Sequence, residues 1–151
     1  MHTQKTILAV ASAGGHWTQL NLLNEAFDGC DVHYVTTNLN RGITQNKKNM
    51  SIVIDADLST KLKLIPLALQ TLLIIMRQRP DVVISTGAAP GFFAILFGKL
   101  LGAKTIWIDS LANLERLSVS GQQAQRFCDL CLTQWPDLTT QNKVQYFGSL
   151  L

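Results

Sequence analysis

Charge is scarce in this chain: only 15% of its 151 residues carry it, and nowhere do five like charges adjoin. A nucleic-acid-binding surface shows a basic stripe interleaved with aromatic residues. The densest basic stretch here, Asn46 to Asn49, reads as a solvated loop, so no nucleic acid is expected as a partner. The net excess of +3, from 13 basic and 10 acidic side chains, suits an anionic membrane surface instead. Cysteine is sparse as well. There are 3, an odd number, with no signal-peptide pattern before them, which points to a reducing compartment. Cys128 and Cys131 have CxxC spacing, but no second pair and no suitably spaced histidine accompanies them. They are expected as strand cysteines rather than a zinc or redox site. No apolar run reaches the roughly 18–20 residues that cross a bilayer. Internal repeats, low-complexity tracts and linkers are also missing, so one domain over residues 1–151 is expected.

What is present alternates. Short β-branched runs at 6–11, 31–37, 51–55, 81–86, 104–109 and 129–134 read as strands, and residues 144–150 as one more short one. Several are apolar on both faces, as buried parallel strands are. Between them, residues 17–27, 59–78, 90–101 and 120–127 read as helices. This alternation implies βαβ crossovers and an α/β, Rossmann-like, doubly wound, mostly parallel sheet with helices on both faces. Pro80 stops the long helix and Gly29 provides an earlier helix exit. The segments Leu64–Met76 and Ala89–Gly102 are unusually apolar, the first flanked by Lys61, Lys63, Arg77 and Arg79. They are either buried helices or helices with one face in a lipid interface.

In an open parallel sheet, ligands bind beyond the carboxyl ends of the strands. The loops to read are therefore those at 12–17, 37–45, 55–60, 85–91 and 109–121. The first, Ser12-Ala-Gly-Gly-His-Trp17, enters a helix. Gly14 and Gly15 let the backbone approach an anion, and His16 can bond a phosphate or take a proton from a hydroxyl. The other reading is a tight turn with a surface histidine. The spacing is neither GxGxxG nor a P-loop, and no acidic residue ends the second strand to hold a ribose. A second glycine turn, Ser85 to Gly91, presents Thr86 and Gly87 with Pro90 early in the next helix. Asp55 and Asp57 have DxD spacing, but Asp57 or Ser59 is well placed to cap a helix, and no metal shell surrounds them. The stretch Trp107 to Gly121 is long and polar for a strand-to-helix loop, as functional loops are. Asp109, at its strand end, could act as a base or orient a sugar hydroxyl.

The segments SAGGHWTQL, RPDVVISTG, DSLANLERLSVSG, DLCLTQWPDL and YFGSLL stand in this order along essentially the whole chain. Together they resemble the acceptor-side subunit of two-component glycosyltransferases. That family includes the membrane-anchoring subunit of the eukaryotic transferase adding the second N-acetylglucosamine to dolichol diphosphate, and PssD-type bacterial subunits for capsule and exopolysaccharide assembly. The resemblance implies the amino-terminal, Rossmann-like half of a GT-B enzyme, similar to that of MurG-like transferases. It implies an inverting transfer of N-acetylglucosamine or a related sugar, from a UDP-sugar to a polyprenyl-diphosphate-linked saccharide. It also implies a heterodimeric partner subunit that binds the donor.

By the same resemblance, His16 and Asp109 are the catalytic candidates, His16 being the first choice for the base. Ser12, Gly14, Gly15, Thr86, Gly87, Ser110, Arg116, Ser118, Ser120 and Gly121 are candidates for binding the acceptor and its diphosphate. Gln134, Trp135 and Pro136 match a structural or partner-contacting element. Asp109 is one methylene shorter than the glutamate usual there, and Asn113 stands where arginine is common, with Arg116 three residues on. No metal and no cofactor is expected, the UDP-sugar being a substrate. The eukaryotic relatives' amino-terminal anchor is not matched, so the chain is expected in the cytoplasm, peripheral on the cytoplasmic face of the membrane through its apolar helices. Two rival readings are a non-catalytic membrane-docking scaffold that recruits the catalytic subunit, and a nucleotide-binding oxidoreductase suggested by the fold alone.

Overall fold

Period-2 apolar runs broken by glycine and polar turns fold here as seven short strands. A computed structural model describes residues 4–38, 49–140 and 143–150. Its strands are β1 (Thr6–Ala11), β2 (Asp31–Thr36), β3 (Met50–Ile52), β4 (Val82–Gly87), β5 (Lys104–Ile108), β6 (Leu130–Thr133) and β7 (Val144–Tyr146). The helices are α1 (Gly15–Asn21), α2 (Lys61–Gln78), α3 (Ala88–Leu100) and α4 (Val119–Ala124), with 3-10 turns at Asn24–Phe27 and Pro136–Thr140. All seven strands pair in parallel, in the order β3-β2-β1-β4-β5-β6-β7. The chain starts in the middle, winds out through β2 and β3, crosses back by α2 to β4 and winds out the other way. β1 and β4 therefore flank the point where the winding reverses, where open α/β sheets form their crevice.

The Rossmann-like reading matches this sheet, with local differences that have physical causes. The helix expected over 17–27 ends at Asn21, because the Asn21 side chain donates to the Trp17 carbonyl (2.7 Å) and turns of 3-10 type follow. β3 is shorter than residues 51–55: Val53 still donates to the Thr36 carbonyl, but the Ile54 N–H turns away to the Gln70 side chain (2.8 Å). α3 begins two residues before Pro90, and α4 stops at Ala124 in 3-10 turns. α2 ends where Arg79 turns left-handed (φ 46°), with Pro80 next. The N-cap of α2 is Thr60, not the expected Asp57 or Ser59, because the helix starts only at Lys61. Asp57 instead holds the turn before it, accepting from the Ser59 and Thr60 hydroxyls (2.5 and 3.0 Å) and N–H groups (2.9 and 3.0 Å). The hydroxyl bonds above all, with the N–H bonds, pull its carboxyl below the usual carboxylate range. Most of the expected 37–45 loop, and Lys47 and Lys48, lie outside the described residues.

Each face of the sheet carries its own core. α2, α3 and α4 cover one, packing Leu67, Ile75, Ala94, Ile95 and Ala124 on Leu8, Val10, Val83 and Trp107. α1 covers the middle of the other, setting Trp17 and Leu20 against Ile7, Ala9 and Ile84. Further out on that second face, Ile106 and Leu132 stay half-buried. Cys131 is buried in β6 and hydrogen-bonded to the half-buried Cys128, a contact that pulls the Cys128 thiol down and, with burial, pushes Cys131 up.

Between its basic ends α2 is largely apolar, but it buries one face only. Leu67, Thr71 and Ile75 point inward, while Leu62, Ile65, Leu69, Leu73 and Met76 form an exposed stripe along the opposite side. Leu62 is 87% exposed. Among the described residues, no helix is long and apolar enough to cross a membrane.

Candidate functional site

The two glycine turns read from the sequence meet at the reversal point. His16, in the first turn of α1, points its Nδ1 at the Thr86 carbonyl at the end of β4 (2.9 Å). Thr86 returns the bond, its hydroxyl donating to the His16 carbonyl (2.7 Å). This reciprocal pair closes the crevice floor between residues 70 positions apart in sequence. A carbonyl oxygen can only accept, so Nδ1 carries the hydrogen. The neutral ring then keeps its lone pair on Nε2, directed away from the bond. That is the tautomer a proton acceptor needs.

Gly87 makes the arrangement possible. Its φ is 140°, and a Cβ there would fall within the His16 ring. Ala88, next in line, takes a left-handed φ of 66°, which costs an L-residue about 1 kcal/mol and persists only where surroundings enforce it. Gly87→Ala is therefore expected to displace the His16 ring and lower stability by about 1–3 kcal/mol. Thermal unfolding alongside ¹⁵N shifts of the imidazole would check this, and an unmoved ring would refute it.

Beside the bridge lies a cleft of about 380 Å³, lined by Ser12, Asp55, Ala56, Asp57, Leu58, Leu64, Ala88, Ala89, Phe92, Phe93, Val119, Ser120 and Gln123. Its walls are mostly apolar, with polar groups from two loops and from α4. Two expected binding residues, Ser12 and Ser120, line it. Its aromatic wall was missed from the sequence, although an apolar helix directly following a glycine turn was its available signal. Since Asp57 is committed to the turn before α2, Asp55 is the carboxylate at this cleft with no hydrogen bond among those described. Among the described residues, no three His, Cys, Asp or Glu side chains converge for a metal.

Asp109 does not face this cleft. It is 1% exposed, and its carboxylate accepts from Trp107 Nε1 (3.0 Å), Asn113 Nδ2 (3.0 Å), Ser118 N (2.9 Å) and Ser118 Oγ (2.6 Å). Two donors per oxygen leave no room for a substrate proton, so the geometry makes Asp109 the anchor of the 110–118 loop rather than a base. Asn113 is thus committed to this carboxylate. Ser118 also caps α4, accepting from the Gly121 N–H (2.9 Å), and a Cβ on Gly121 would strike the Asp109 carboxylate. Ser118 and Gly121 thus belong to the carboxylate cage and not to a ligand surface. Ser110 is 7% exposed and accepts from Gln19 Nε2 (3.1 Å). Arg116 lies with Glu115 on the outer part of the loop, apart from the cleft. Gly14 and Gly15 form the turn into α1, with the Gly14 carbonyl accepting from Thr18 N (3.0 Å).

Gln134 and Trp135, expected as structural or partner-contacting, hold the polar loop to the end of β6. Gln134 donates to the Asp109 carbonyl (3.0 Å) and Trp135 Nε1 to the Leu111 carbonyl (2.8 Å), clamping the loop's start.

The fold is shared with solved structures of carbohydrate enzymes. Acinetobacter baumannii MurG superposes with a TM-score of 0.77 at 15% identity, covering 94% of this chain and 45% of that one. A UDP-N-acetylglucosamine 2-epimerase gives 0.74 at 10% identity, over 97% and 49%. At these identities the likeness is one of fold. In sequence, the chain is 39% identical over 75 residues to the "UDP-N-acetylglucosamine transferase subunit alg14" of Schizosaccharomyces pombe, covering 46% of this chain and 36% of that protein. It is 32% identical over 85 residues to the Yarrowia lipolytica subunit ALG14, covering 52% and 39%. The chain thus spans well under half the length of these curated relatives. The family model described as "Oligosaccharide biosynthesis protein Alg14 like" matches residues 52–150, β3 through the segment after β7, and the chain belongs to that family.

Proposed function

We propose that this chain is the acceptor-side half of an inverting, UDP-sugar-dependent glycosyltransferase that works only when joined to a donor-binding partner subunit. The reaction transfers N-acetylglucosamine or a related sugar to a saccharide on a polyprenyl diphosphate. The observation that carries the reading is the His16–Thr86 bridge at the reversal point, which leaves Nε2 without a hydrogen bond among the described residues. His16 does not itself line the cleft, but the chain runs from this bridge directly into Ala88 and Ala89 of the cleft wall. The acceptor hydroxyl attacks the anomeric carbon as the bond to the departing UDP breaks, and its proton passes to His16 Nε2. The diphosphate of the acceptor sits against the N–H groups of Ala88 and Ala89 and the hydroxyls of Ser12 and Ser120; the Gly87 N–H is already donated to Ser85 Oγ (3.1 Å). The names of the relatives, transferase subunits for UDP-N-acetylglucosamine, support the substrate class. No cofactor enters the proposal.

The partner is placed on the less covered side of the sheet, where Ile106 and Leu132 are half-buried and Phe147 is 75% exposed. The α2 stripe is placed in the lipid interface on the cytoplasmic face, with Lys61, Lys63, Arg77 and Arg79 meeting anionic headgroups. Exposed Leu58 links that stripe to the cleft, a route for a lipid-linked ligand.

The test is reconstitution with a donor-binding subunit and a polyprenyl-diphosphate saccharide. Transfer from a UDP-sugar is expected from the pair and absent from this chain alone; robust transfer without a partner contradicts the split-enzyme reading. For the membrane, the triple variant Leu62→Ser, Ile65→Ser, Leu69→Ser is expected to bind phosphatidylglycerol vesicles at least tenfold more weakly than wild type, with an unchanged circular dichroism spectrum. Equal cosedimentation would remove α2 from the membrane contact.

A further inference from the structure

We infer that Gln19, itself held by Gln134, is a positioning residue that sets the orientation of His16. The inference rests on the reading of His16 as the base. α1 is only 7 residues long, with no acidic residue in its first turn and no side-chain cap, so its aim depends on tertiary ties. His16 and Gln19 lie three residues apart, on neighbouring positions of one helix face. Both amide groups of Gln19 are engaged across the crevice. Its Oε1 accepts from Gln134 Nε2 (2.6 Å) and from Leu111 N (3.2 Å), and its Nε2 donates to Ser110 Oγ (3.1 Å).

Gln134 is 3% exposed and fully used: its Nε2 also donates to the Asp109 carbonyl (3.0 Å), and its Oε1 accepts from Leu150 N (3.1 Å). The glutamine pair therefore joins α1 to the ends of β5 and β6 and to the segment after β7. Together with the Thr86 bond it holds α1 at two points, which fixes the direction of Nε2. A chain of satisfied, partly buried amides gives such a fixed geometry, and a half-satisfied one does not.

Gln19→Leu keeps the size and removes every bond, leaving Leu111 N without its acceptor and Gln134 Nε2 with the Asp109 carbonyl alone. Gln19→Glu keeps both acceptor roles, and the Ser110 hydroxyl can rotate to donate to it. In the reconstituted pair, Gln19→Leu is expected to lower kcat by about 10–100-fold with the donor KM changed less than about threefold, and Gln19→Glu to recover most of the loss. A second readout is independent of activity. In ¹⁵N-histidine-labelled chain, wild-type His16 is expected to hold the Nδ1–H tautomer, and Gln19→Leu to populate both.

If Gln19→Leu proves unfolded, Ser110→Ala, which removes one tie to Gln19, carries the same test, with about a threefold fall in kcat and a smaller tautomer shift. Wild-type kcat and an unchanged tautomer ratio in a folded variant overturn the inference, even where His16→Ala is inactive. A shifted tautomer with a fully active His16→Ala variant would instead leave Gln19 as a positioning residue and discard His16 as the base.

Discussion

His16→Ala is expected to lower the kcat of the reconstituted transferase by about 10²–10⁴-fold, the range a general base contributes, while pairing with the donor subunit and the fold persist. The variant loses the Nδ1 bond to the Thr86 carbonyl, worth about 1 kcal/mol, and so is expected to melt only a few degrees lower. The buried side of α1, Trp17 and Leu20, is untouched. The diagnostic measurement is single-turnover transfer by the reconstituted pair, in which the variant should bind the acceptor saccharide as wild type does and lose the chemical step. Turnover close to wild type would take His16 out of the mechanism and favour the docking-scaffold reading.

Asp109→Ala should act in the opposite way, through stability. It strips the acceptor from four donors, two of them from Ser118, in a site 1% exposed. An unsatisfied buried donor costs about 1–3 kcal/mol, and breaking such a cluster about 3–5 kcal/mol in total. For a chain of this size that lowers Tm by about 10–15 °C, a large share of a typical stability of about 5–15 kcal/mol. Urea unfolding measures it directly. Asp109→Asn should recover only part of the loss, since an amide presents hydrogens where the cage already supplies them. A melting temperature within about 2 °C of wild type for Asp109→Ala would return this carboxylate to the list of chemical groups.

The two aspartate readings show where sequence reasoning reached and where it stopped. Asp57 was legible as a local turn residue because its partners, Ser59 and Thr60, lie two and three positions away, although the cap of α2 fell to Thr60. Asp109 stood at a strand end, where catalytic carboxylates occur. Although its partners Trp107, Asn113 and Ser118 lie two to nine positions away, their closing over it depends on the irregular course of the 110–118 loop, which has no periodic signature. Gln19 stood in a recognised segment but carried no signal, since its partner Gln134 is 115 residues away. The α2 helix was recognisable as apolar, yet which of its faces would remain exposed followed from its packing on the sheet.

By itself, the sequence determined the alternation of strands and helices, the two glycine turns at strand ends and the family. Each of these rests on spacing within a few residues: period 2 or 3.6 for the elements, and glycine where a turn needs it. Only the tertiary structure decided which polar groups meet at the crevice and which are sealed beneath it. The winding reversal brings β1 beside β4, so His16 finds Thr86 at 70 positions' distance, and Gln19 finds Gln134 at 115; such pairings depend on strand order, which no local pattern encodes. The four donors over Asp109 come from within nine positions of it, but only the folded course of the 110–118 loop turns them inward onto one carboxylate.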